Sequence, residues 1–500
     1  MNKPLLYKLI FASLSLIFFY SNSAAQEEPT LVQEYTLKEI VALAKGQSPA
    51  SLFAETRKQN QYWQYRSFMS EYRPQLYLRG DFPGYQRSNN PITQPDGSIE
   101  FRRINQNLTR LNLGVRQVIG LTGGSIFVES EMQRFDNFET DQTTYSGNPA
   151  VIGFSQQLFG FNPYKWDKEI APLEYEESLK EYAEEMEELS IQATNLFFEV
   201  LLAQINLELA EKNLSSNDTV YQISEGRYNL GKIGENELLR VEFNVMKSRQ
   251  EVAQARLDLE TSTLRLRSFI GLNNSERFIL ALPDDIPGFD VNEQTAISEA
   301  LKNNPNTVQF ARQIKEAERD MAEAKGNTGL NASLEATYGL TNRADDFPDI
   351  YNNPENQQRL GVSFFIPIVN WGRQKSIIKT QEAFLNLTQY QVDQERINFE
   401  QEVYTQVKTY EMLRNKVEIT EVSNDIAARK YEITKQRYLI GKINITDLII
   451  SLQEKDQARR DYIQALNDFW TDYYNLRALT LYDFEANQSL LTPEIMQGYE

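Results

Sequence analysis

The chain has few residues able to do covalent or metal chemistry. Its 500 residues include no cysteine and no histidine. That removes disulfides, thiolate and His-assisted nucleophiles, the commonest zinc ligands and the usual neutral-pH general base. Carboxylates remain for acid and base work, but no pair of acids sits in a recognisable catalytic loop. No catalytic, cofactor-binding or metal-binding residue is therefore expected. A short motif that occurs twice stands out instead. Arg227-Tyr228-Asn229-Leu230-Gly231-Lys232-Ile233 returns 210 residues later as Arg437-Tyr438-Leu439-Ile440-Gly441-Lys442-Ile443. An acid and a leucine follow each copy, Glu237-Leu238 and Asp447-Leu448.

The motif reads as a tight turn that has to be presented by helices. Gly231 and Gly441 fit left-handed C-terminal caps, while Asn236 and Thr446 fit N-caps of returning helices with Glu237 or Asp447 in the first turn. Read alone, this is a well-capped helical hairpin whose acids stabilise helix N-termini. Retention of the motif in both copies suggests that the tip surface itself is used. Before the first copy, apolar or small residues recur in steps of four and three, as in Tyr175, Leu179, Tyr182, Met186, Leu189, Ala193, Leu196 and Val200, continuing to Leu214. This is a coiled-coil seam. From Asn162 to Gly226 it predicts one helix about 95 Å long at 1.5 Å per residue. The returning arm repeats the pattern from Leu238 through Val241, Val245, Ser248 and Val252 to Leu266.

The duplication extends beyond the turn. Gly153-Phe154-Ser155 corresponds to Gly361-Val362-Ser363 at an offset of 208, and Gln47-Ser48-Pro49 to Asn303-Asn304-Pro305 at 256. The first copy thus holds 48 additional residues between its first helices and its last strand. Each half reads as helix, strands, long helix, tight turn, long helix. Leu334, Ala336, Tyr338 and Leu340 alternate with Ser333, Glu335, Thr337 and Gly339; Leu360, Val362, Phe364 and Ile366 alternate with Gly361, Ser363 and Phe365. That period fits a soluble sandwich or a membrane barrel wetted inside. Phe159, Phe161, Tyr164, Trp166 and Trp371 stand where a barrel places its aromatic girdle, and Asn89 to Gly97 and Asp345 to Asn356 read as long external loops. Leu111 to Arg116, the turn Thr122-Gly123-Gly124, and Ile126 to Glu129 read as an added hairpin.

Lys3 and Lys8, an apolar run from Leu9 to Phe19 and the end Ser23-Ala24-Ala25 have the layout of a cleavable secretory leader. No later segment has the length and apolarity of a spanning helix, so entry into a membrane would have to be by β-strands. The formal charge of -19 argues against nucleic acid and anionic membrane surfaces as partners. On a pore wall the same excess favours cations.

Taken in order, the two copies, the Ser48-Pro49 and Asn304-Pro305 helix starts, the Pro163 and Pro367 strand-to-helix junctions and the Arg-Tyr-x-x-Gly tips resemble the TolC-like outer-membrane efflux family. The resemblance covers essentially all of the chain after the leader. It implies a mixed α and β membrane protein in which long coiled-coil hairpins form a periplasmic α-barrel and the strands a transmembrane β-barrel, both shared across a homotrimer. It also implies a passive export duct, not an enzyme, working with a periplasmic adaptor (membrane fusion) protein and an inner-membrane pump. Residues 1–25 are then the leader, 26–290 the first repeat (strands about 74–160, hairpin about 163–270), 291–483 the second (strands about 331–368, hairpin about 371–481), and 484–500 a loosely held tail. Arg227, Tyr228, Gly231, Arg437, Tyr438 and Gly441 become candidates for adaptor docking. Asp447 and Glu237 become candidates for the channel gate. The family's second gate aspartate is replaced by Ile450 here. If the added hairpin joins the wall, each subunit has six strands where the family has four, 18 per trimer where it has 12; alternatively it plugs the mouth. The competing reading is a secreted periplasmic coiled-coil scaffold or adaptor without a pore.

Overall fold

The computed structural model describes residues 33–272, 278–283 and 286–496. The expected leader and parts of the expected crossover lie outside them. The chain opens with β1 (Gln33–Tyr35), α1 (Leu37–Gln47) and α2 (Pro49–Glu71). Five strands follow, β2 (Gln75–Asp81), β3 (Tyr85–Thr93), β4 (Ile99–Ile119), β5 (Gly124–Asn137) and β6 (Gln142–Gln157). The first long hairpin is α3 (Pro163–Asn229) and α4 (Glu235–Ile270). After β7 (Phe278–Leu280) come α5 (Glu293–Asn303), α6 (Pro305–Asn327), β8 (Asn331–Ala344) and β9 (Glu355–Phe365). The second hairpin is α7 (Arg373–Leu439) and α8 (Ile445–Thr480), and β10 (Tyr482–Asp483), β11 (Gln488–Ser489) and α9 (Pro493–Met496) end the described chain.

Helices of the two halves match in length: α1 and α5 have 11 residues, α2 and α6 23, α3 and α7 67, α4 and α8 36. Local chemistry sets their starts. The buried Ser48 accepts the Ser51 N–H at 3.0 Å and Asn304 accepts that of Asn306 at 2.9 Å, each followed by a proline at the first helical position. No described helix is long and apolar enough to cross a membrane.

At 67 residues, α3 and α7 are each about 100 Å long. Toward their tips the arms lie side by side in the order α4, α3, α8, α7; nearer the sheet the order is α2, α3, α6, α7. Much of the expected seam is buried, but Phe197, Phe198, Leu201 and Ile205 are buried too, because mid-length α3 packs against α8 and α1 as well as α4. There the main core forms, with Phe197, Leu266, Tyr410 and Phe469 almost fully enclosed; burial of each such side chain is worth about 1.5–3 kcal/mol. The buried Glu187 crosses this region, taking Lys45 Nζ at 2.6 Å and Arg477 Nε at 2.9 Å. Burial pushes its carboxyl up, yet Lys45 and Arg477 outweigh that and hold it below the ordinary range.

As far as Met496 the expected tail is held in place. Strand β10 pairs with β11, Leu490 N–H donates to Leu481 O at 2.9 Å, and Asp483 is ion-paired with Arg477. The lack of hydrophobic periodicity hid a segment held by polar contacts.

The sheet runs β2-β4-β5-β6-β8-β9, antiparallel throughout. Strand β3 extends the β2 position, pairing with residues 99–107 of β4 while β2 pairs with 110–116. Part of the expected loop Asn89 to Gly97 is therefore strand as far as Thr93. Its ladder with β4 overrides poor β-propensity, and Pro91 is tolerable on an edge. The hairpin of β4 and β5 lies inside the sheet, β5 being paired on its other side with β6.

Candidate functional site

At each tip the long helix ends in the same hydrogen-bonded turn. Lys232 N–H reaches Arg227 O at 2.8 Å and Gly231 N–H reaches Tyr228 O at 2.8 Å; in the second copy Lys442 reaches Arg437 O at 2.9 Å and Gly441 reaches Tyr438 O at 2.8 Å. Gly231 and Gly441 have φ of +65° and +77°, a left-handed backbone that glycine adopts without penalty. The N-caps differ from the sequence expectation. They are Gly234 and Asn444, not Asn236 and Thr446, because the returning helices begin two residues earlier. Asn444 Oδ1 accepts the Asp447 N–H at 3.0 Å, and Thr446 Oγ1 instead accepts from Arg240 Nη1 at 2.8 Å.

The two copies of the motif are placed differently. Arg227 Nη2 donates to the carbonyls of Tyr438 (3.2 Å) and Leu439 (2.8 Å), and its Cζ lies 5.3 Å from the Tyr438 ring centroid. Tyr438 is 1% exposed, its hydroxyl 3.0 Å from Ser224 Oγ. Tyr228 is 39% exposed and Arg437 is exposed. The fold thus brings Arg227 and Tyr438 together and leaves Arg437 and Tyr228 at the surface. Asp447 is exposed and Glu237 half-buried, both in first turns where the helix dipole favours an acid. Ser224 and Arg240 were missed from sequence: a small seam residue and a single arginine carry no signature of such contacts.

A second surface is the sheet. Register puts Leu76, Val115, Val128, Ile152 and Tyr338 in one cross-strand row, and Leu360, Val362 and Phe364 on the same face. These apolar side chains, Val115 to a lesser degree, are largely exposed. The opposite face carries Arg79, Asn112, Arg116, Glu129, Glu131, Glu335 and Arg359, with Asn112 Nδ2 bonded to Glu129 at 3.1 Å. One face apolar and the other charged is the alternation of strands between lipid and water. Trp371, 96% exposed at the junction with α7, and Phe159 lie at the helical end of the sheet.

Away from both surfaces, Asp472 on α8 is buried with one oxygen bonded to Gln406 Nε2 at 2.7 Å and the other without a partner. Burial pushes its pKa up to about 7, with the Gln406 bond opposing.

Three solved structures show the same fold. The CmeC outer membrane channel of Campylobacter jejuni superposes with a TM-score of 0.62 at 14% identity, covering 89% of this chain and 85% of its own. A membrane protein from Pseudomonas aeruginosa gives 0.63 at 13%, covering 92% and 93%. The open-state MtrE outer membrane channel of Neisseria gonorrhoeae gives 0.53 at 14%, covering 89% and 88%. No curated protein matches by sequence. The family described as outer membrane efflux protein matches residues 123–272 and 296–480, about two thirds of the chain. With long helical arms, a sheet apolar on one face and charged on the other, and that match, the chain belongs to the outer membrane efflux protein family.

Proposed function

We propose that three copies close into one passive duct, a β-barrel in the outer membrane continued by a helical tunnel across the periplasm, whose tips meet an adaptor coupled to an inner-membrane pump. The observation that carries this reading is that both side edges of the chain are unsatisfied in complementary ways. Edge helix α4 exposes Leu239, Phe243, Met246, Leu257 and Leu264; edge helix α7 exposes Met412, Ile419, Val422, Ile426 and Ile433 at heptad-like spacing. Strands β2 and β9 have open edges. Within the chain α3 packs on α8, and the equal helix lengths support a twofold repeat. The same packing step continued sets α7 against α4 of the next copy and β9 against its β2. Three such steps close a ring, which removes both the apolar stripes and the strand edges.

In that ring Asp447, present three times, forms an acidic gate with Glu237 nearby. Arg437, Tyr228 and the Gly231 and Gly441 turns face the adaptor. The sheet's apolar face meets lipid and its charged face lines the lumen. The apolar strand face speaks against a pore-free periplasmic scaffold, which has no need of it. The test is to extract the protein from outer membranes in detergent, measure its mass and record conductance in a planar bilayer. A trimer that conducts is expected; a monomer without conductance overturns the reading.

A further inference from the structure

The loop between β8 and β9 folds back onto one face of the sheet. Its single 3-10 turn, Phe347–Tyr351, buries Ile350 to 1% exposure. A Cβ on Gly147 would stand 3.0 Å from Ile350 Cδ1, so the isoleucine fills the notch that this glycine leaves in β6. Phe347 lies against Tyr145 of the same strand, ring centroids 6.0 Å apart. Asn342 Nδ2 donates to the carbonyls of Asp349 at 2.9 Å and Asn352 at 2.8 Å, which pins the end of the turn to β8.

Register says which face this is. Gly147 pairs with Met132 and Asn342, four residues along their strands from Val128 and Tyr338, and Tyr145 pairs with Arg134 and Ala344, two further on. Side chains two or four apart share a face, so the turn sits on the apolar one, with Val128, Ile152, Tyr338 and Leu360. It also sits at an edge of the apolar band. Positions on that face of β8 run from Ala332 to Asn342, about 33 Å along the strand. At a tilt of about 40° this rises about 25 Å, the height of the apolar band of a barrel. Phe159 and Trp371 lie at the helical end of the band. At the far end β8 and β9 offer that face only Asn342, Ala344, Asn356 and Gln358. The turn supplies the missing rings: Phe347 and Tyr351 are 41% and 50% exposed, their centroids 5.9 Å apart.

We propose that this turn is an interfacial anchor that holds Phe347 and Tyr351 in the headgroup layer of the outer leaflet. The proposal rests on the lipid-facing sheet of the proposed function. Rings are favoured at that depth, where an apolar body meets acyl chains and a hydroxyl meets water. Residues 345–356 carry four carboxylates, Asp345, Asp346, Asp349 and Glu355, and no base. Contact with lipid is therefore made by the rings and not by cation–phosphate pairing, and it persists at high salt. The seat of Ile350 matters because a loose loop would lose backbone entropy on meeting the bilayer, whereas this turn presents its rings already placed.

The absence of cysteine makes the test clean. In trimers reconstituted into phosphatidylcholine vesicles, a bimane label is attached at Tyr351→Cys and, as the reference for the lipid-facing sheet, at Leu360→Cys. Nitroxide lipids labelled near the headgroup should quench the label at position 351 about twofold more than lipids labelled at the chain end, at low and high salt alike. Quenching there by aqueous iodide alone, with Leu360→Cys still quenched by lipid, overturns the anchor and leaves the duct standing. Lipid quenching at neither position removes the lipid-facing sheet and the proposed function with it. Adding Ile350→Ser, which empties the notch over Gly147, should shift the label at 351 from lipid to iodide quenching while the label at 360 is unchanged. Lipid quenching retained at 351 in that variant overturns the role of the seat.

Discussion

Arg227 of one helical tip holds the other through Tyr438, with Nη2 on the Tyr438 carbonyl at 3.2 Å and the guanidinium over its ring at 5.3 Å. A charged donor shared between two carbonyls is worth about 1.5–3 kcal/mol. Arg227→Ala should let the first tip move independently of the second and raise conductance in planar bilayers. Arg227→Lys, which keeps the charge but loses the planar fork, should fall between. Equal conductance in all three proteins would remove this contact from the gate.

Arg437 carries the same motif but is exposed, its side chain without a hydrogen-bond or ion-pair partner among the described residues. Arg437→Glu is expected to lower export in cells several-fold while the extracted trimer keeps its mass. Undiminished export would exclude Arg437 from adaptor docking.

Asp447 is exposed at the start of α8, where its own N–H is capped by Asn444. If three copies ring the axis, Asp447→Asn should weaken cation preference, read as a shift in reversal potential under a salt gradient. An unchanged reversal potential leaves Asp447 only its role beside the helix N-terminus.

Asp472 gives a pH dependence whose sign is fixed by its environment. Its native pKa, about 7, lies above the ordinary aspartate value. The native state keeps a proton that the unfolded chain has released, so stability falls as pH rises from about 4 to about 7 and then levels. Asp472→Asn should therefore raise the melting temperature relative to the parent more at pH 8 than at pH 5. The gap in free energy is at most about 4 kcal/mol. A gap that narrows with rising pH would mean that the carboxyl is not buried as described.

Much of this architecture was legible in the residues because each level has its own period. The α3 and α4 seams follow from apolar spacing, the two sheet faces from alternation at Leu334 to Leu340, and the tip turns from Gly231 and Gly441. What was hidden depends on partners distant in sequence or on backbone groups. The carbonyls that Arg227 binds exist at every position and mark none. Strand β3 read as loop because Asn89, Asn90 and Pro91 disfavour strands until β4 supplies the ladder. The N-caps were set two residues late because Asn236 and Thr446 are good capping residues, while Gly234 caps without a side-chain bond. The tail from Phe484 was missed because its anchors are polar.

The equal reach of α3 and α7 has an evolutionary consequence. Lengthening one arm by a heptad would carry its tip about 10 Å past the other and out of reach of contacts such as Arg227 to Tyr438. Insertions can then be accepted only as matched sets in all four arms, whereas the strands, which end in loops, can gain a hairpin in one half alone. Such a lineage would be expected to diversify at its mouth and keep the length of its tunnel nearly constant.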